Sequence, residues 1–138
     1  MAGAWVDIHG NYGDYVLVDQ MVCREDGPQH TRGLTPFATV AFAPSNRNTL
    51  PWFYSAGLVY TGLIPGREND TAAFGLAFGE FSKYLKGQND EMVLEWTYAM
   101  TLAPWLTLQP DVQYIVKPSG MSHIANALVL GMQIAVNF

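Results

Sequence analysis

The 138-residue chain contains one cysteine, so an internal disulfide framework is excluded. Cys23, set among apolar neighbours, reads as a small packing residue. Charge is also scarce. Asp, Glu, Lys and Arg make up 14% of the residues, against about 25% in an ordinary soluble domain. Positive charge is scarcest, with seven Lys and Arg against twelve Asp and Glu. A net charge of −5 and a pI of about 4.9 argue against a nucleic-acid partner, which needs a basic surface. Long hydrophobic runs are missing too. Nothing approaches the ~18 consecutive apolar residues of a membrane helix, and the longest candidate, Ala127 to Val136, is broken by Gly131 and Gln133. The first residues carry neither the basic segment nor the apolar run of a secretory leader. The chain is therefore expected either to stay unexported or to be a piece whose export signal lies elsewhere.

Hydrophobic residues are nevertheless abundant, at 49%, and are dispersed among 13 Gly, 8 Pro and 18 aromatics (4 Trp, 7 Tyr, 7 Phe). No helical period persists beyond a turn or two, whereas alternation with period two recurs along the chain. It is clearest from Glu91 to Ala103. Met92, Leu94, Trp96, Tyr98, Met100 and Leu102 share one face, and Glu91, Val93, Glu95, Thr97, Ala99, Thr101 and Ala103 share the other. Successive strand side chains point to opposite faces, so this is a two-faced strand. Pro104, which cannot donate to a ladder, marks a tight turn. Trp105 to Lys117 and Asn126 to Phe138 alternate in the same way, as do Leu34 to Ala43, Trp52 to Ile64 and Thr71 to Ser82 more weakly. Tyr15 to Arg24 is a strand by composition. Its adjacent Asp19 and Gln20 cannot both avoid the apolar side without a bulge. The expected organisation is all-β: residues 1–13 as loop, then seven antiparallel strands over 14–138 in a single partial barrel domain.

Two environments produce such strands. A soluble barrel turns its apolar face inward, and one of that kind, lipocalin-like and holding an apolar ligand, is the alternative reading. A transmembrane barrel turns its apolar face to lipid and lines a wet lumen with the other. Segments of roughly 10–13 residues suit the ~9–11 of a tilted membrane strand. The polar faces carry Gly, Ala, Ser, Thr and Gln rather than the charges of a solvated sheet. Aromatics such as Trp52, Tyr54, Tyr114 and Phe138 stand near segment ends, as in interfacial girdles.

Several segments carry a resemblance to a known family. Thr101-Leu-Ala-Pro-Trp-Leu-Thr-Leu-Gln-Pro-Asp-Val-Gln-Tyr-Ile-Val-Lys-Pro-Ser-Gly120 resembles the end of the carbohydrate-selective porins, the OprB-type family, as does Asn126 to Met132. Tyr15 to Met21, Gly62 to Arg67 and Phe74 to Gly79 agree. The resemblance runs from about Tyr12 onward. It implies the C-terminal portion of a 16-stranded outer-membrane barrel of a Gram-negative bacterium, through which sugars diffuse passively. It also implies that Ser45 to Pro51, Lys83 to Asp90 and Ser119 to Ala125 are outside loops. Ala103-Pro104, Pro65 to Asp70 and Glu25 to Arg32 become periplasmic turns. Met132, Ile134, Val136 and Phe138 resemble the terminal signal that the barrel-insertion machinery reads by strand pairing. The implied partners are carbohydrate solutes, outer-membrane lipid, and missing N-terminal strands or other chains that close the barrel.

The lumen wall is expected to carry Glu91, Glu95, Gln109, Asp111, Gln113 and Lys117, with Thr97, Thr107 and Gln133. Such side chains donate to and accept from sugar hydroxyls, through contacts weak enough to release the solute. No enzyme is expected. Glu91 and Glu95 lie about 13 Å apart along one strand at ~3.3 Å per residue, beyond the ~5–9.5 Å of a glycosidase pair. His9, His30 and His123 lack metal-ligand spacing, so no metal or cofactor is expected. Phe37 and Trp105, on the lumen side, can stack on sugar rings or pack against the wall. Asn69-Asp70-Thr71 reads as a turn.

Overall fold

Alternation of apolar with small or polar residues builds strands wherever it lasts. The computed structural model describes residues 10–24 and 32–138. It contains β1 (Asp14–Asp19), β2 (Cys23–Arg24), β3 (Gly33–Phe42), β4 (Trp52–Thr61), β5 (Thr71–Glu80), β6 (Asp90–Ala103), β7 (Leu106–Val116) and β8 (Ala127–Val136). One short 3-10 turn, Pro118–Gly120, follows β7. Residues 10–13 are outside any strand. The expected loop before them, the connection after Arg24, and His9 and His30 lie outside the described residues.

All pairings are antiparallel, in the order β1-β3-β4-β5-β6-β7-β8, with β2 also on β3. β1 and β2 are two stretches of one edge line. Asp19 pairs with Phe37 and Cys23 with Leu34, so four steps on one side oppose three on the other. The extra residue is the bulge that the adjacent Asp19 and Gln20 require. Gln20 and Val22 still donate their N–H groups to Pro36 and Leu34. Because β2 is an edge, Cys23 is exposed rather than packed.

Register puts like with like. Val40, Tyr54, Phe78, Met92 and Val116 form one row on the apolar face, and Pro36, Leu58, Phe74, Trp96, Val112 and Leu130 another. Aromatics gather towards both ends of this face. Phe42, Trp52, Tyr54 and Phe78 form a chain with centroids 4.6, 6.0 and 6.3 Å apart. Towards the other end Phe74 and Trp96 lie 4.9 Å apart. Between them runs a largely aliphatic row that includes Ala38, Ala56, Leu76, Leu94 and Leu128. A ten-residue strand rises ~33 Å along its axis and, tilted, spans the ~25 Å apolar band of a membrane barrel.

Among the described residues no hydrophobic side chain is buried. Leu130, Met132 and Ile134 are 74%, 63% and 63% exposed. A soluble domain is held together by a buried apolar core, and among the described residues this sheet has no such core. It is also open, with β1 and β8 at its edges. The lipocalin-like alternative needs a closed wall around an apolar interior, and neither is present.

The two ends of the sheet differ. At one end the loops are tied together. Ser82 N–H donates to Thr49 O (2.9 Å) and its hydroxyl to Ser45 O. Asn89 N–H donates to Gly120 O (2.8 Å), and Gln88 Nε2 to Ser119 O (2.8 Å). Asn11 and Asn48 exchange side-chain amide bonds of 3.0 and 2.9 Å. At the other end β4 stops at Gly62, whose φ of +75° suits glycine. Strand β4 was expected to reach Ile64. β6 and β7 join through the two residues Pro104 and Trp105. Trp105 is therefore an exposed turn residue, not the first wall residue of β7.

Candidate functional site

The face opposite the apolar one is mostly small and polar, with Phe37, Phe53, Val93 and Ile115 among its larger apolar residues. From Gly33 on β3 to Ala135 on β8, the residues registered on it include no Lys or Arg. Its carboxylates are Glu91, Glu95 and Asp111, all on β6 and β7. Glu95 pairs with Gln113, and Thr97 with Asp111. Gln113 Nε2 donates to Asp111 Oδ2 at 3.4 Å. The Asp111 side chain leans over β8, and a Cβ on Gly131 would meet its Oδ1 at 2.2 Å. Glycine is what lets the carboxylate lie there.

Gln109 repairs the sheet. The β6–β7 pairing skips residues 98–99 against 109–110, where Pro110 has no N–H to give. Thr97 Oγ1 donates to Pro110 O (3.2 Å) and accepts from Gln109 Nε2 (2.9 Å). Glu91 stands at the loop end of the face, where its carboxylate accepts the Ser119 N–H. Lys117 lies past the end of β7 with φ +52°. Its ammonium sits 2.9 and 3.0 Å from the two Asp90 oxygens, so an ion pair at the rim holds it. Met132, Ile134 and Val136 occupy the other face of edge strand β8, and Phe138 follows its end. Thus β6 and β7 bring Glu95, Gln109, Asp111 and Gln113 together, while Glu91 and Lys117 serve the rim.

Two groupings escaped the sequence reading. The first is a single row on the polar face. Phe37 pairs with Gly57, Gly57 with Gly75, Gly75 with Glu95, and Glu95 with Gln113. The tip of the Phe37 ring fills the space that a side chain on Gly57 would need. The second is Asp70, 2% exposed, in the β4–β5 turn. It accepts from Arg67 Nε, from Tyr98 Oη (2.8 Å) and from Thr101 N–H (2.9 Å). The i, i+3 spacing of Arg67 and Asp70 was the available signal, but partners about 30 residues away gave none.

Burial works against ionisation of Asp70, but the hydrogen bonds from Arg67, Thr101 and Tyr98 outweigh it. Its carboxyl titrates below the usual carboxylate value. The hydrogen bond to Asp70 in turn raises the Arg67 guanidinium. With the folded value depressed, the stabilisation is complete above the ordinary carboxyl pKa and is lost as pH falls through the folded one. Thermal melts of the completed barrel in detergent should stay level above about pH 4 and fall in stronger acid, with Asp70→Asn losing most of that acid dependence. Asp70→Ala leaves three half-buried donors without their acceptor and should cost on the order of 1–3 kcal/mol.

Among the described residues no three His, Cys, Asp or Glu gather as a metal site; His123 is an exposed loop residue. No helix among them is long and apolar enough to cross a membrane, and the strands remain as the elements that could do so.

Comparison with known proteins agrees with this geometry. The model of the carbohydrate-selective porin, OprB family, matches residues 7–138. Porin B of Pseudomonas aeruginosa is 27% identical over 92% of this chain and 33% of its own length. The QuiX protein of Acinetobacter baylyi, which carries a provisional porin name, is 30% identical over 59% of this chain and 24% of its own. A solved structure of Pseudomonas putida OprB at high pH superposes with a TM-score of 0.85 and 28% identity, over 93% of this chain and 36% of that one. The chain spans about a third or less of the length of these relatives. With the family model matching nearly its whole length, the chain belongs to the carbohydrate-selective porin family, OprB.

Proposed function

We propose that this chain forms about seven strands of the wall of an outer-membrane channel that passes carbohydrates and other small solutes by diffusion. The observation that carries the proposal is the two-faced sheet without a core. Its apolar face, with aromatics towards both ends, suits lipid. Its other face suits a wet lumen. The chemistry is transport, not catalysis: no bond of the solute needs to change. Weak, repeated contacts with Glu95, Gln109, Asp111 and Gln113 replace part of a sugar's hydration and then release it. Further strands complete the wall. The outward row Met132, Ile134 and Val136, followed by Phe138, makes edge strand β8 a surface for the insertion machinery to pair with. The loop end, tied by Asn48, Ser82 and Gly120, faces outside.

Liposome swelling tests this reading. Vesicles holding the completed barrel should swell in neutral hexoses; a barrel that conducts ions yet excludes sugars overturns it. The same wall predicts a charge preference. Carboxylates with no Lys or Arg registered on their own face of the sheet favour cations and disfavour anions. Glu95→Gln with Asp111→Asn should move the reversal potential in a KCl gradient towards zero, by several millivolts. An unchanged potential would place the two carboxylates away from the ion path.

A further inference from the structure

The cross-strand row Phe37, Gly57, Gly75, Glu95, Gln113 sets very different side chains side by side. Neighbouring strands lie about 4.8 Å apart. From the backbone of β4 at Gly57 to that of β6 at Glu95 is therefore about 10 Å, with only Gly75 between. The Phe37 ring lies over Gly57, and its Cζ stops 3.8 Å from where a Gly75 side chain would begin. Among the described residues nothing else on that face stands closer to this point. The result is a notch of about 150 Å³ with Gly75 in its lining. Phe37 bounds one side and Glu95 the other, and Ser55, Ala77 and Val93, paired in the next row, lie along a third side.

We propose that this notch is a subsite for a single neutral sugar ring; the proposal rests on the channel reading above. An aromatic ring carries a partly negative face and offers a large apolar surface, which matches the C–H face of a pyranose. Glu95 accepts hydrogen bonds from hydroxyls, and Ser55 both donates and accepts. Phe37, Ala77 and Val93 make the notch mainly apolar, with Ser55 and Glu95 as its polar groups, and an apolar lining with a few convergent polar groups is the usual composition of a small-molecule site. A water-filled wall without selectivity requires neither the aromatic nor the gap beside it. The Phe37 ring is held over one glycine, Gly57, and the second, Gly75, is left uncovered.

Sugar-induced block of ion current, recorded in planar bilayers holding the completed barrel and titrated with glucose, tests this. Phe37→Leu and Glu95→Ala should each weaken the block roughly three- to tenfold. Gly75→Val, whose Cβ would lie 3.8 Å from the Phe37 ring tip and whose methyl groups occupy the notch, should remove its saturable part. Sugar-free conductance is read in the same bilayers, because a purely structural role for Phe37 would change that as well. If Phe37→Leu disturbs the wall, Gly75→Val decides alone. Saturable block as strong in Gly75→Val as in the parent overturns the subsite. So does sugar entry with no saturable block in the parent, which leaves the channel reading standing. Ion current with no sugar entry at all overturns the channel reading first.

Discussion

Reconstituted alone in lipid vesicles, the 138-residue chain should give no stable channel, and conductance should appear only when strands completing the wall are supplied. The reason lies at the two edges. β8 has ten residues and β1 six, and among the described residues neither is paired on its outer side. About every second residue of an antiparallel edge points its N–H and C=O outward. In hydrocarbon each unpaired group costs several kcal/mol. Two open edges therefore cost tens of kcal/mol, well above the ~5–15 kcal/mol that stabilises an ordinary fold. Closing the sheet on itself does not solve this. The path from β1 to β8 takes six antiparallel steps, so both edges run in the same direction. Direct closure would be parallel, with fewer strands than the smallest barrel of eight. An odd number of added strands restores an even, fully antiparallel wall. Purified chain, supplied strands and the two together are compared in planar bilayers. Regular single-channel steps from the chain alone would overturn this account of its edges.

The second large effect is expected at Gly57. A Cβ there would meet the Phe37 ring at 2.5 and 2.6 Å and the Phe74 carbonyl oxygen at 2.5 Å. The ring can swing away, but the carbonyl belongs to the ladder of β5 and cannot. Gly57→Ala should therefore cost about 1–3 kcal/mol, as overpacking does. Gly57→Val should leave little folded protein, because a branched side chain must displace both the ring and the strand. Gly75 supplies the contrast in the same row. Its nearest neighbours would lie 3.8 and 4.0 Å away, which is ordinary contact, so Gly75→Ala should fold like the parent. Urea unfolding of the completed barrel in detergent, read by the far-ultraviolet strand signal, measures all three. Equal stabilities for Gly57→Ala and Gly75→Ala would show that the ring and strand yield more easily than the geometry implies.

Much of this molecule was legible from period-two patterning alone. The seven strand segments, their two faces and the bulge near Gln20 follow from which residues alternate and which cannot. Glu95, Gln109, Asp111 and Gln113 fall on the wall for the same reason. Local chemistry also marked most turns, through Pro44, Pro65-Gly66 and Pro104. Patterning fails at the ends of strands, where Trp105 and Lys117 left the faces assigned to them. Alternation says nothing about where pairing stops. Lys117 went to Asp90, a partner 27 positions away, and Trp105 went into a two-residue turn.

What the sequence determined by itself is a set of amphipathic strands too apolar on one side for water and too lightly charged on the other for a solvated sheet. Those properties are carried by each strand separately. The tertiary structure decided which residues share a row. Row membership depends on the register between strands, and register follows from turn length and from the bulge, not from any strand's own pattern. Only there do Phe37, Gly75 and Glu95, dispersed over 59 positions of chain, become neighbours around one notch. Only there does Asp70 find Tyr98 and Thr101. The open edges are a property of the whole sheet too: each strand pairs well, and the two outermost have no further neighbour among the described residues.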